Sequence, residues 1–453
     1  MTTPPLHVAI IGAGPSGFYA AAALLKQSAG AVRVDLFDRL PSPYGLVRSG
    51  VAPDHQSIKR IERAFERTAM KPGVRFFGNV ALGREVSVDD LRAHYHAIIY
   101  TVGSEGFRKI GVPGQQSRQV RSATEFVFWY NGHPQYCARN FSLDNVRRIA
   151  VVGVGNVALD VARILVRDRD ELARTDISPV ALAALRAAPI EEVVVMGRRG
   201  PTEAAFSPKE LKELMALSEV DITVSTANAL TDPVSAAWLK EAPKTATQNA
   251  ALVSEIAAAP STGAPRRIRL EFRTSPVEFH LDEAEHLTGM TAGRNRLEIV
   301  NGSPRPVATG ETWREDVQLV LTAIGYRGIP IDGVPFDVRR GTIPNVEGRV
   351  TETPGGPIRS GEYTAGWIKR GPSGLIGSNR PDAKETVAHL LADCTAPDHR
   401  EDILPRLLAR GVRVVTFADW KRLDAEEQRR GGAAGRVREK FITIQEMLDF
   451  LDT

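Results

Sequence analysis

Two glycine clusters, and the charged residues that follow each, carry the chemistry legible in this chain. Gly12, Gly14 and Gly17 stand at the spacing G-x-G-x-x-G, and Gly153, Gly155 and Ala158 repeat it with alanine in third place. A turn of this spacing suits a dinucleotide. Its first glycine lets the chain leave a strand tightly, and its second lets backbone approach a pyrophosphate. The third lets helix and strand pack closely, a task that alanine also permits. The helix that follows offers N–H groups and a partial positive charge to the pyrophosphate. The sequel to each turn differs. The run from Arg33 ends in Asp38, an acid placed to take a ribose hydroxyl. The corresponding run from Glu192 has no terminal acid but Arg198 and Arg199, which suit a 2′-phosphate. The two turns are therefore expected to hold different nucleotides.

Strands and helices must flank these turns. Val8 to Ile11 is an apolar run of strand character, and alanine-rich Phe18 to Leu25 reads as helix; Arg148 to Val152 and the residues to about Val166 repeat the arrangement. Between them the sequence predicts a turn at Pro41 to Gly45, an irregular excursion over Leu46 to His55, and a helix from about Gln56 to Met70. Strands are expected at Val74–Phe77, Asn79–Leu82 and Ala97–Gly103, with a polar helix bearing Phe126, Phe128, Trp129 and Tyr130 beyond. Residues 225–265, rich in Ala, Ser, Thr and Pro, receive no assignment. Arg267 to Phe272 is read as opening antiparallel strands, and Val317 to Gly325 as the return to the first domain. Glu362 to Trp367 is the last expected strand. A glycine-rich loop, Gly371 to Ser378, leads to a helix from about Pro381, and the remainder reads as helical with a break at Gly431-Gly432.

A chain of 453 residues has room for two or more domains. Hydrophobic residues at 43% and charged residues at 25% are those of a soluble globular protein. A net charge of +4 does not call for nucleic acid, and no run of 18 apolar residues calls for a membrane. The first strand begins near Leu6, leaving no space for a leader before it, so a cytoplasmic location is the expectation. Cys137 and Cys394 are the only cysteines. Two isolated thiols supply neither a disulfide framework nor a cluster, and the lack of C-x-x-C removes dithiol chemistry. His94 and His96 alternate in an expected strand without a cysteine or acid pattern beside them, so no metal site is expected.

Two nested dinucleotide folds resemble the two-dinucleotide-binding-domain flavoproteins. The closer resemblance is to the adrenodoxin reductases and bacterial NADPH–ferredoxin reductases. It is carried by Pro43-Tyr44-Gly45-Leu46-Val47-Arg48, Val51 to His55, Gly153 to Asp160, Gly197 to Phe206 and Gly366-Trp367-Ile368-Lys369-Arg370-Gly371-Pro372-Ser373-Gly374-Leu375-Ile376-Gly377. The resemblance implies an α/β fold of two Rossmann-like dinucleotide-binding domains, with the NADP domain (108–324) inserted within the FAD domain (1–107 and 325–453, ending in a helical region). It implies FAD contacts at Gly12, Ala13, Gly14, Gly17, Asp38, Leu46, Val80, Trp367, Gly374, Leu375 and Ile376. It implies NADP(H) contacts at Arg108, Gly153, Gly155, Asn156, Val157, Ala158, Leu159, Arg198, Arg199, Glu210 and Gly374, with His55 and Glu213 as catalytic residues by the nicotinamide.

The activity so implied is hydride transfer from NADPH to FAD, then single-electron transfer to a ferredoxin-type iron–sulfur protein. With no cluster cysteines in the chain, that centre is expected in trans on an acidic partner, and the reductase as a monomer or weak dimer. Lys240, Lys244, Arg266, Arg267 and Arg269 are a candidate docking face. Two other readings stay open: a quinone or oxygen reductase on the same scaffold, and a protein that senses FAD or NADP without turnover.

Overall fold

The computed structural model describes residues 5–28, 31–139, 141–394 and 398–453. They fall into two compact units, one within residues 1–107, 133–135 and 325–453, the other within 108–132 and 136–324.

The first unit is built on a seven-stranded sheet. Its strands, numbered in chain order, are β1 (Leu6–Ile11), β2 (Val32–Phe37), β3 (Val74–Phe77), β4 (Ala97–Tyr100), β16 (Asn345–Val346), β17 (Arg349–Thr351) and β18 (Ile358–Thr364), in spatial order β16-β17-β18-β4-β1-β2-β3. From β18 to β3 the neighbours run parallel, and β16 and β17 join as an antiparallel edge. A parallel strand has both faces covered, which is why β1 is a nearly unbroken apolar run, buried throughout except at His7. A two-stranded ribbon of β5 (Gly106–Phe107) and β15 (Tyr326–Arg327) completes the strands of this unit.

Helix α1 (Pro15–Gln27) follows β1, and the tight segments α2 (Leu46–Ser49), α3 (Gln56–Lys59) and α4 (Glu62–Ala69) follow β2. The single helix expected from Gln56 to Met70 is thus divided. Around Arg60 the backbone tightens to bonds three residues apart, Ile61 N–H to Ile58 O and Ala64 N–H to Ile61 O. Asn79 adopts φ +60°, so no strand runs through it, and Val80 N–H turns back to the Asp38 carbonyl at 2.9 Å. His94 ends helix α5 (Val88–His94) rather than lying in a strand, and His96 follows outside it. Gly431 and Gly432 lie inside the helix Phe417–Ala433 and do not break it.

The second unit has a six-stranded, wholly parallel sheet. Its strands are β6 (Val120–Ser122), β7 (Arg148–Val152), β8 (Glu192–Met196), β9 (Val220–Val224), β10 (Arg266–Glu271) and β14 (Leu319–Thr322), in order β6-β14-β7-β8-β10-β9. Two expectations fail here. Arg267 to Glu271 is a parallel member of this sheet, and antiparallel pairing begins only with β11 (Thr274–Leu281), β12 (Leu287–Val300) and β13 (Ser303–Glu315). Leu319–Thr322 pairs with β7 and β6, so this strand completes the second unit instead of returning to the first. Helix α6 (Ala123–Tyr130) is buried at all eight positions, not polar; its one charge, Glu125, is paired with Arg121 and Arg139. Helix α7 (Asn156–Val166) follows β7, and three helices occupy the unassigned region, Thr226–Ala229, Pro233–Trp238 and Lys244–Ala258.

One buried carboxylate ties the late strand of the first unit to its early ones. Glu362 of β18 is 1% exposed, accepts from Tyr100 Oη at 2.8 Å and pairs with Arg92 of α5. Removing one partner of a fully buried pair costs roughly 3–5 kcal/mol, and Arg92 keeps part of its surface in water, so Glu362→Ala should cost about 2–3 kcal/mol. Chemical denaturation checks this; a midpoint equal to that of the parent would show the pair to be dispensable.

Candidate functional site

Each unit brings its glycine turn to the carboxyl end of its sheet. In the first, α1 begins at Gly14, which caps it without a side-chain hydrogen bond. The strand-to-helix turn is very close-packed: a Cβ on Gly17 would stand 2.1 Å from the Gly12 carbonyl oxygen. Thr101 Oγ1 donates toward the carbonyls of Ile11 and Gly12 and holds the turn from the end of β4. Asp38 closes the other side. Its carboxylate accepts from Ala13 N–H at 2.9 Å and Leu40 N–H at 3.0 Å. Burial pushes the Asp38 carboxyl up to about 6, against the opposing pull of those two donors.

Other residues expected around this turn gather in the same unit. Ala13 and Val80 are buried, and Leu46 opens α2. Trp367 does not end a strand but starts the short helix Trp367–Arg370. The residue before it lies against the turn: a Cβ on Gly366 would stand 2.0 Å from Ser16 Oγ of α1. Among the described residues Trp367 Nε1 is buried without a hydrogen-bond partner, and its ring lies 5.3 Å from that of Tyr326. Gly374 takes φ +79°, Leu375 is exposed, and Ile376 opens a 3₁₀ turn that runs into the helix Asn379–Asp393, two residues earlier than expected. His55 is half-buried and opens α3.

In the second unit, Gly155 caps α7, again without a side-chain hydrogen bond, and a Cβ built on it meets nothing within 4 Å. Asn156 Oδ1 accepts from Ser207 N–H at 2.8 Å, which ties the start of α7 to the start of the helix Pro208–Met215. Val157 is partly buried, whereas Ala158 and Leu159 belong to the hydrophobic core, so their side chains are spent on packing. Arg198 is exposed and Arg199 half-buried; among the described residues neither guanidinium makes an ion pair. Burial and the adjacent Arg198 pull Arg199 below its ordinary range, Glu203 opposes, and Arg305 adds to the lowering. Arg305 was not expected here. It comes from the β12–β13 hairpin, and no local pattern announces it. Glu210 is buried 3.7 Å from Arg163, and Glu213 pairs with Lys209 at 3.5 Å; Arg108 is exposed.

Two of the five residues of the expected basic docking face are already paired within their own sheet. Arg267 and Arg269 both reach Glu192, at 2.9 and 3.2 Å, and Arg269 also pairs with Glu271 and Glu315. Arg266 donates to the Val166 carbonyl, leaving Lys240 and Lys244 exposed. On neighbouring parallel strands the register sets Arg267 opposite Glu192, so the arginines are neutralised by their own sheet.

Residues 6–201 match the pyridine nucleotide-disulphide oxidoreductase family model. The NADPH-ferredoxin reductase FprA of Mycobacterium tuberculosis is 42% identical, with 98% of each chain covered. The chain belongs to the NADPH–ferredoxin and adrenodoxin reductase family. The human mitochondrial NADPH:adrenodoxin oxidoreductase is 40% identical over 98% of this chain and 92% of its own. The structure of M. tuberculosis FprA in complex with NADPH superposes with a TM-score of 0.93 at 41% identity, covering 99% of this chain and all of that one. This oxidoreductase therefore has the α/β fold of two Rossmann-like domains. The disulphide chemistry in the broader family's description has no C-x-x-C to support it in this sequence.

In this reductase the raised Asp38 carboxyl gives a pH dependence with a definite sign. A ribose hydroxyl placed against Asp38 would donate to the ionised carboxylate, so a dinucleotide held there would favour loss of the Asp38 proton. Affinity of the flavin-free protein for FAD should hold above about pH 6 and fall below it, by up to about tenfold per pH unit. Fluorescence titrations with FAD from pH 7 to 5 check this, and Asp38→Asn should remove the slope.

Proposed function

We propose that this protein oxidises NADPH and delivers the electrons singly to a ferredoxin-type iron–sulfur protein, with FAD at the first turn and NADP(H) at the second. The observation that carries the reading is the contrast between the two turns: both present a helix N-terminus without a side-chain cap, one beside Asp38 and the other followed by Arg198 and Arg199.

The residues fit the two groups. The N-terminus of α1 holds a pyrophosphate by its N–H groups and dipole, and Asp38 takes the ribose of the FAD. Ala13 N–H fixes the carboxylate, so the acid is oriented before the ligand arrives. Trp367 Nε1, buried and unpaired, is a donor waiting for an acceptor, which a flavin supplies. Leu46, Val80, Gly374, Leu375 and Ile376 are proposed to complete this contact set. The N-terminus of α7 holds the second pyrophosphate. Asn156 is oriented by Ser207 for contact with NADPH, and Arg108 and Glu210 are proposed contacts to the same group.

Bound FAD supplies the exchange between a two-electron hydride and single electrons. The protein's part is orientation, which can account for several kcal/mol of a barrier without an acid–base residue in the hydride step. His55 and Glu213 are kept as proposed nicotinamide neighbours on the strength of the resemblance alone. We place the activity in the cytoplasm, with the protein as a monomer or weak dimer acting on an acidic partner, a charge preference that the net +4 supports. Among the described residues no helix is long and apolar enough to cross a membrane.

Coenzyme choice tests the assignment of the second turn. Charge-assisted hydrogen bonds contribute roughly 1.5–3 kcal/mol each. Two of them, discounted for the exposure of Arg198, give a preference for NADPH over NADH on the order of 10²–10³ in kcat/KM. In the double variant Arg198→Ala with Arg199→Ala, KM for NADPH should rise steeply while NADH use changes little. A variant that keeps the parent's preference would show that the arginines do not read the phosphate.

A further inference from the structure

A buried charge cluster far along the chain grips the segment that lines the first dinucleotide turn. Its centre is Glu427, in the helix Phe417–Ala433 and 0% exposed. The two carboxylate oxygens accept from both terminal nitrogens of Arg48, at 2.8 and 2.5 Å, and also from Arg438 Nη1 and Phe441 N–H, each at 3.0 Å. Arg438 bonds Asp424 as well, at 2.7 Å. Arg48 is itself buried, with its guanidinium 4.9 Å from the centre of the Trp420 ring, and Lys440 Nζ donates to its carbonyl at 3.2 Å. This arrangement depends on Gly431, since a Cβ there would stand 2.3 Å from the Arg438 Cα. Glycine at that position lets the chain fold back closely and bring Arg438 and Phe441 to Glu427.

The gripped segment touches the nucleotide turn directly. Tyr44 N–H donates to the Ala13 carbonyl at 2.7 Å, and a Cβ on Gly45 would lie 3.1 Å from the Gly14 Cα. Tyr44 holds φ +82°, a conformation that non-glycine residues rarely adopt and that persists only when the surroundings enforce it. Trp420 packs edge-on against Tyr44 at 5.9 Å and supplies part of that enforcement. Leu46 lies between Tyr44 and Arg48 in the same segment.

We propose that Glu427 is a positioning residue for FAD. By fixing Arg48 it sets the segment from Tyr44 to Arg48 against Gly14 and so shapes the wall of the dinucleotide site, across 379 residues of sequence. The physical reason is the cost of an unpaired buried charge. Without the Glu427 carboxylate the Arg48 guanidinium must move toward water, and its backbone carries Leu46 and Gly45 away from the turn. The inference rests on the reading that the first turn holds FAD.

The test uses full-length protein stripped of flavin and titrated with FAD, followed by flavin fluorescence, alongside melting of the flavin-free and FAD-saturated forms. Glu427→Gln should raise the Kd for FAD by about tenfold or more, the effect of losing one charge-assisted contact's worth of positioning. FAD should then raise its melting temperature less than it does that of the parent. Arg48→Lys keeps the charge but loses the two-pronged contact; it should weaken FAD binding by a smaller factor, and it decides the matter if Glu427→Gln does not fold. Arg438→Gln leaves the Arg48–Glu427 contact in place, and it should lower the melting temperature with little change in Kd. A folded Glu427→Gln or Arg48→Lys protein with an unchanged Kd, less stable with and without FAD by the same amount, would make the cluster structural glue and overturn the proposal. A parent protein that binds no FAD would instead overturn the reading of the first turn.

Discussion

Both units depend on one steric constraint: the backbone leaving the motif strand passes too close to its neighbour for any side chain. A Cβ on Gly12 would stand 2.6 Å from the Thr101 carbonyl oxygen, and one on Gly153 would stand 2.3 Å from that of Ala323. Thr101 follows β4 and Ala323 follows β14, so each glycine abuts the end of the parallel strand beside its own. That closeness brings the next helix back over the sheet with its N-terminus at the carboxyl ends of the strands. In the first unit the chain order reverses between β4 and β1, and in the second between β14 and β7. Ligands of open α/β sheets bind at such reversals. The glycines thus set where a nucleotide can bind before any polar residue is considered.

Given that shared frame, charge separates the two sites. The first has a half-buried acid, Asp38, whose ionised form desolvation disfavours; the second has Arg199, whose charge is disfavoured by burial and by Arg198. On the proposed assignment each turn holds a group that a ligand of complementary chemistry would relieve, a ribose hydroxyl in one case and a phosphate in the other. The same logic takes Arg267 and Arg269 out of the basic face expected of Lys240, Lys244, Arg266, Arg267 and Arg269. Arg267 and Arg269 have carboxylates beside them already and no electrostatic reason to attract another anion.

Much of this was legible in the sequence because its signals are local. Gly12 to Gly17 with Asp38, and Gly153 to Ala158 with Arg198-Arg199, each lie within one strand–helix–strand stretch whose two strands pair side by side. What escaped depends on partners remote in the chain. The neutralisation of Arg267 by Glu192 is a matter of strand order and register, and the arrival of Arg305 near Arg199 depends on a hairpin. The burial of α6 belongs to the same class: eight residues that include Glu125 and Thr124 read as a polar helix until the arginines that cover Glu125 are placed. Gly431-Gly432 read as a break by composition, whereas the contact with Arg438 gives Gly431 a packing reason inside a helix. Glu427 had no signal, because its meaning resides in Arg48.

The exchange of electrons between NADPH and a flavin is what this chain is built to carry out. It is tested most directly by adding NADPH in the absence of air to purified protein loaded with FAD, while recording the visible absorbance of the flavin. That absorbance should bleach at once with NADPH and far more slowly with equal NADH, and return when an oxidised ferredoxin is added. Flavin absorbance that stays unchanged after NADPH, in protein shown to bind both nucleotides, would contradict it.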